Sequence, residues 1–223
     1  MHAVIVGNSD GIGLALTHRL LADGWAVTGL SRRSAPVGEH HVVDVTSPAF
    51  PAVLAEVGDV DLCVYAAGVG EPLTDDLADQ TRALEVNLLG AARTFEVLVP
   101  RMLAAGRGHL IGLSSLADTM ISAQSPGYAA SKAGLTAYLL SLDAALRPRG
   151  VPVTAVRFGF VDTKMAKSPV TPFRISRERA VDLLVRCIRT RPAIVSYPRR
   201  MAAVTATLGT ASRLAARCRR SRV

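Results

Sequence analysis

A tyrosine and a lysine four residues apart are the first residues in this chain whose types and spacing suggest chemistry. Tyr128-Ala129-Ala130-Ser131-Lys132 lies at the start of a helix-patterned stretch. An i to i+4 spacing sets the phenol and the ammonium on one face, one turn apart. A free phenol titrates at about 10, too high for an efficient proton donor or base at neutral pH. A lysine cation fixed beside it favours the phenolate and lowers that pKa, and the same ammonium can hold a ribose hydroxyl. Ser115 ends an apolar stretch thirteen residues earlier. Its hydroxyl can hydrogen-bond a carbonyl oxygen and hold that group for hydride attack.

Such a pair needs a cofactor, and the N-terminus offers a place for one. Gly7-Asn8-Ser9-Asp10-Gly11-Ile12-Gly13 leaves the first apolar run and opens the first helical stretch. Glycines there allow a tight turn and the close approach of a pyrophosphate, with backbone N–H groups facing the anion. The second apolar run ends Leu30-Ser31-Arg32-Arg33. An acid at that place binds the ribose 2′-hydroxyl of NAD, whereas arginine accommodates a 2′-phosphate, so Ser31, Arg32 and Arg33 favour NADPH over NADH. Asp10 counts the other way, because a carboxylate in the loop does not help a third phosphate.

These residues must be carried by an alternating chain. Segments 2–7, 25–31, 40–45, 61–68, 108–115, 151–159 and 193–197 read as strands rich in β-branched residues. Helical stretches over 12–23, 49–57, 76–104, 127–147 and 176–190 lie between them, with Gly24, Gly106–Gly108 and Pro148–Gly150 as stops. Several strands are apolar at consecutive positions, as strands covered on both faces are. The pattern predicts an α/β fold of the Rossmann type, a doubly wound, seven-stranded parallel sheet with helices on both faces. Residues 1–198 form one dinucleotide-binding and catalytic domain, and 199–223 form a basic amphipathic helix.

The chain resembles the short-chain dehydrogenase/reductase family, in its single-domain branch. GNSDGIG is similar to that family's TGxxxGIG loop, with Val6 at the usual threonine. Asp44-Val45 resembles the pair that contacts adenine, and Tyr65-Ala66-Ala67-Gly68 resembles NNAG with both asparagines replaced. Asn87 falls in EVNLLG, Leu113-Ser114-Ser115 matches ISS, and YAASK matches YxASK. Gly159-Phe160-Val161-Asp162-Thr163 resembles the PGFVxT segment, with Phe158 at its proline. The resemblance implies that Tyr128 is the general acid in carbonyl reduction. It further implies that Lys132 lowers the tyrosine pKa and binds the nicotinamide ribose. Ser115 would polarise the carbonyl, and Asn87 would hold a proton-relay water. Gly159, Val161 and Thr163 would anchor the carboxamide and phosphates. A tyrosine–lysine spacing of three intervening residues disfavours the enoyl-reducing relatives. A secondary-alcohol dehydrogenase using NAD(P)+ stays open, as does a catalytically silent cofactor-binding module.

Composition narrows the remaining classes. The 223 residues carry a net charge of +8, with 49% hydrophobic and 20% charged side chains, which excludes intrinsic disorder. The seven arginines of 199–223, with no acid among them, account for all but one unit of that charge. The basicity therefore belongs to the tail, and no nucleic-acid partner is expected. The tail suits packing on a partner subunit, fraying in water or, less well, contact with a membrane surface. No apolar run is long enough to span a bilayer and no signal peptide is read, so a cytoplasmic protein is expected. Cys63, Cys187 and Cys218 lie far apart, and neither they nor the five histidines show metal spacing. Lys164–Ile175, apolar through Met165, Pro169, Val170, Pro172 and Phe173, is expected to wall a small, mostly apolar carbonyl substrate. The long helices over 76–104 and 127–147 are expected to form a homodimer or homotetramer.

Overall fold

The computed structural model describes residues 1–35, 37–165 and 171–219, the side chains of 216–219 excepted. The strands are β1 (His2–Val6), β2 (Ala26–Ser31), β3 (Glu39–Val42), β4 (Leu62–Tyr65), β5 (Leu110–Ser115), β6 (Val153–Phe158) and β7 (Ile194–Tyr197). They form one parallel sheet in the order β3-β2-β1-β4-β5-β6-β7. The order reverses between β1 and β4, and in such a sheet ligands bind outside the carboxyl ends of the strands at that reversal. The glycine loop follows β1 there, and Ser115 is the last residue of β5.

Alternate residues of the central strands feed two cores, which is why those strands read as continuous apolar runs. Val4, Val6 and Tyr65 face one layer with Phe50 and Leu54 of α2 (Phe50–Ala55), Phe95 and Leu98 of α4 (Gly90–Ala104), and Leu135 and Leu139 of α5 (Pro126–Leu146). Ala3, Ile5 and Val64 face the other with Leu16 and Leu20 of α1 (Gly11–Ala22) and Leu184 of α6 (Arg177–Thr190).

The helix expected over 76–104 is interrupted. It consists of α3 (Ala78–Leu84), a π-helical turn over Glu85–Leu89, and α4. Two contacts account for the extra residue in the turn. Tyr65 Oη donates to the Val86 carbonyl at 2.5 Å, and a Cβ at Gly90 would stand 2.2 Å from that same hydroxyl. The turn carries Asn87, which is fully buried. A π-turn inside a helix is commonly a functional position.

The C-terminal basic segment forms helix α7 (Arg199–Arg219). It returns across the carboxyl end of the sheet and packs on a 3₁₀ turn over Leu116–Thr119 and on β7. Arg220 and Arg222 of the tail lie outside the described residues.

Candidate active site

A crevice of about 1030 Å³ runs along the carboxyl ends of β1, β4, β5 and β6, from the glycine loop to Tyr128. At the loop, Gly7 has a positive φ of 93°, and a Cβ there would meet the Ala67 amide nitrogen at 2.5 Å. A Cβ at Gly13 would stand 2.2 Å from the Gly7 carbonyl oxygen. Only glycine satisfies this turn, and a close-approach cradle at a helix N-terminus is what a pyrophosphate requires. Ser9, Asp10, Gly11, Ile12 and Gly13 line the crevice, as do Ala66, Ala67 and Gly68. Asn8 is not among the lining residues. It is fully buried, its amide packed where a Cβ on Gly29 would be 1.9 Å away, with no hydrogen-bond partner for Nδ2 or Oδ1.

The apparent cost of Asp10 disappears in three dimensions. Its carboxylate caps α1 through the Gly11 N–H at 2.7 Å and meets Lys164 Nζ at 2.8 Å, with the Arg33 guanidinium 3.8 Å away. The Lys164 hydrogen bond, then that of Gly11, hold its pKa below the ordinary carboxylate value. The mouth of the cradle is therefore cationic on balance, with Arg32 and Arg33 exposed beside it. Ser31 is buried and donates its hydroxyl to the Arg33 carbonyl at 2.7 Å, shaping the turn that presents both arginines. Asp44 accepts from the Thr46 N–H and hydroxyl at 2.9 and 2.8 Å and pairs with Arg82 at 3.1 Å. Burial works against its charge, yet these partners keep its pKa low. Val45 lines the crevice beside it.

At the other end, Ser115 Oγ accepts from the Ala117 N–H at 3.1 Å, and its hydroxyl lies near enough to the Tyr128 phenol to favour its ionised form. Lys132 is buried, its Nζ donating to the Leu113 carbonyl at 2.8 Å and lying 5.7 Å from the centre of the Tyr128 ring. Ser115, Tyr128 and Lys132 thus gather at one end of the crevice, and burial sets their electrostatics. Burial pushes the Tyr128 phenol up, against the lowering hydrogen bond of Ser115, and the Asp118 carboxylate raises it further. Burial also pulls the Lys132 ammonium down to about 8. Desolvation is the largest cause of both shifts.

The side-chain amide of Asn87 is fully engaged within the fold. Its Oδ1 accepts from the Val69 N–H at 2.8 Å, and its Nδ2 donates to the Val69 carbonyl at 2.8 Å and to Ser131 Oγ at 2.9 Å. Ser131 in turn donates to the Tyr128 carbonyl at 2.8 Å. Both amide protons are engaged, so the side chain clamps the loop after β4 to the helix that carries Tyr128.

Gly159, Val161 and Thr163 line the crevice after β6, and so does Met165. Pro172 and Phe173 are not lining residues, and Phe173 is exposed with a φ of 55°. Pro169 and Val170 lie outside the described residues. Several residues at the site gave no sequence signal. Asp118 is buried and pairs with Arg157 at 2.6 Å, and it accepts from Thr136 at 2.7 Å. Gly127 lies so close to α3 that a Cβ would be 2.4 Å from the Gln80 carbonyl oxygen. Met201 and Thr205, on α7, also line the crevice.

The lowered lysine makes a stability prediction. Between pH 8 and 10.5 the unfolded chain binds a proton at Lys132 that the folded chain releases, so folding gains stability as pH rises through that window. Measured by denaturant unfolding against Lys132→Met, the wild-type protein should gain up to about 3 kcal/mol across it. A difference that stays flat or falls would contradict the burial of this ammonium.

Comparison with known proteins agrees with the geometry. A sequence model described as short chain dehydrogenase matches residues 1–172. An uncharacterized oxidoreductase of Myxococcus xanthus is 33% identical, covering 91% of this chain and 89% of its own. A 3-oxoacyl-(acyl-carrier-protein) reductase of Salmonella typhimurium is 30% identical over 74% of this chain and 75% of its own. Among solved structures, a short chain dehydrogenase from Burkholderia cenocepacia in complex with NADP superposes with a TM-score of 0.83. It is 25% identical, and the match covers 98% of this chain and 96% of that one. With the glycine cradle, the serine, the tyrosine and the lysine set along one crevice, this chain belongs to the short-chain dehydrogenase family of oxidoreductases.

Proposed function

We propose that the protein is an NADPH-dependent ketoreductase acting on a small, mostly apolar carbonyl compound. The convergence of Ser115, Tyr128 and Lys132 at one end of a crevice whose other end is a cationic glycine cradle carries this reading. NADPH supplies a hydride when bound. The chain supplies everything that positions it. The Gly7–Gly13 cradle holds the pyrophosphate, Arg32 and Arg33 hold the 2′-phosphate, and Asp44 and Val45 border the adenine. Gly159, Val161 and Thr163 border the nicotinamide end. Ser115 donates its hydroxyl to the substrate carbonyl oxygen. As the carbonyl carbon takes the hydride, Tyr128 gives its phenolic proton to the oxygen, which leaves as the alcohol. The raised phenol pKa keeps that proton in place until the transfer, and the Lys132 ammonium stabilises the phenolate that remains. Asn87 is a positioning residue in this account, acting through the loop at Val69 and through Ser131.

Leu73, Leu116, Met120, Phe160 and Met165 line the crevice near the catalytic groups, which supports an apolar substrate. The buried, unpaired thiols Cys63 and Cys187 fit a reducing cytoplasm. We further propose a homodimer or homotetramer joined through α4 and α5. Leu84 and Leu89 are exposed just before α4, and Ala137, Ser141 and Ala144 are exposed at helical spacing on α5.

A panel of apolar ketones assayed by loss of NADPH absorbance tests the reaction. Replacing Arg32 and Arg33 with alanine should weaken NADPH at least about tenfold more than NADH, because only NADPH offers the 2′-phosphate. An unchanged preference would remove the arginines from the site. Light scattering at micromolar concentration should give twice or four times the single-chain mass. A fully active species of single-chain mass would refute the assembly.

A further inference from the structure

Helix α7 contributes to neither of the two cores, yet it is docked closely against the active-site end of the sheet. Gly209 lies over the last residue of the 3₁₀ turn, where a Cβ would be 2.0 Å from the Thr119 carbonyl oxygen. Any larger residue there would hold the helix off the turn. That turn is the one Ser115 caps. One turn into α7, Met201 reaches the segment after β6, its Sδ 2.6 Å from where a Cβ on Gly159 would stand. Thr205, one turn further, is buried and donates its hydroxyl to the Ala202 carbonyl at 3.1 Å. Its polar group is satisfied within the helix, so it offers the crevice hydrocarbon.

The charges along the crevice are unevenly placed. Among the described residues lining it, Asp10, Arg32, Arg33, Asp44 and Lys164 gather at the glycine cradle, and Lys132 is buried at the catalytic end. Beyond Ser115 and Tyr128 the wall is mostly apolar, with Leu116, Met120 and Met165 alongside the uncharged polar Gln124 and Ser125, and Met201 and Thr205 close it. Of the wall expected over Lys164–Ile175, Met165 lines the crevice and Pro172 and Phe173 do not, while α7 adds Met201 and Thr205.

We propose that α7 is the specificity-determining wall of this active site, with Met201 and Thr205 selecting ketones that carry a hydrocarbon ring or chain and rejecting those with a carboxylate beside the carbonyl. This rests on the reductase reading above. A carboxylate placed against Met201 would lose its water and find no cation to replace it. A hydrocarbon substituent there leaves water and gains contact with the three thioethers and the leucine.

The test uses the full chain with NADPH and three carbonyl compounds: acetone, acetophenone and pyruvate. Wild-type protein should prefer acetophenone and turn over pyruvate least. Gly209→Val should raise KM for acetophenone about tenfold, the scale of a few lost methylene contacts, and leave acetone within about twofold. Met201→Ala should move the preference toward ketones larger than acetophenone. Val204→Ser, on the exposed face of α7, serves as the matched control and should behave as wild type. NADPH affinity, read by fluorescence, should be the same in all four proteins. If Gly209→Val and Met201→Ala both keep the wild-type ranking, the proposal is overturned. Hydrogen exchange over 116–119 separates this outcome from a failure of the reductase reading. Gly209→Val should speed exchange there whether or not any ketone is reduced. Unchanged protection would overturn the docked wall even in an active enzyme.

Discussion

The active end of this molecule depends on one buried cation and the seam built to hold it. Lys132 is almost wholly out of water, and an ammonium so placed is costly unless hydrogen-bonded. The Leu113 carbonyl takes one of its protons. Ser114 donates to the Lys132 carbonyl at 3.1 Å and lies 2.6 Å from Thr136 Oγ1. Thr136 donates to Asp118, Asp118 pairs with Arg157, and Arg157 reaches Ser196 at 3.1 Å. This seam ties α5 to the ends of β5, β6 and β7. Ser115 and Tyr128 lie on its two sides, so the seam helps to fix their separation.

The same burial sets the site's electrostatics. It favours the neutral phenol and the neutral amine over their charged forms. Groups displaced in this way are characteristic of functional sites, because folding alone would not select them. Asp118 deepens the effect on Tyr128 while neutralising Arg157, so a residue with a structural partner also keeps the proton on the phenol. Asn87 shows a related economy. Its π-turn lets one side chain hold both backbone groups of Val69 and, through Ser131, the first turn of α5.

Much of this was legible in the amino-acid order because it is local. The strands announce themselves by β-branched runs, the cradle by three glycines at a strand–helix junction, and the tyrosine and lysine by a helical spacing. The remainder needs partners distant in sequence. Asp10 looked adverse until Lys164, 154 residues away, was placed on it. Asp118 and Arg157 are 39 residues apart, and neither looks buried in its own segment. Helical periodicity does not register one inserted residue, so the π-turn at Asn87 passed as part of a single long helix. Gly209 in mid-helix reads as a weak helix former, whereas its role is the close approach to Thr119. Pairwise charge reasoning on the tyrosine and lysine also leaves out the water that both groups lose, and that loss sets the net direction of both shifts.

Transfer of a proton from Tyr128 is the claim on which the functional account stands, and Tyr128→Phe isolates it. The substitution keeps the ring and its packing and removes the donor. Turnover of a ketone that the wild-type protein reduces with NADPH should fall by about 10²–10⁴, with NADPH affinity nearly unchanged. A variant that kept more than about a tenth of the activity would contradict the role of Tyr128 as the acid.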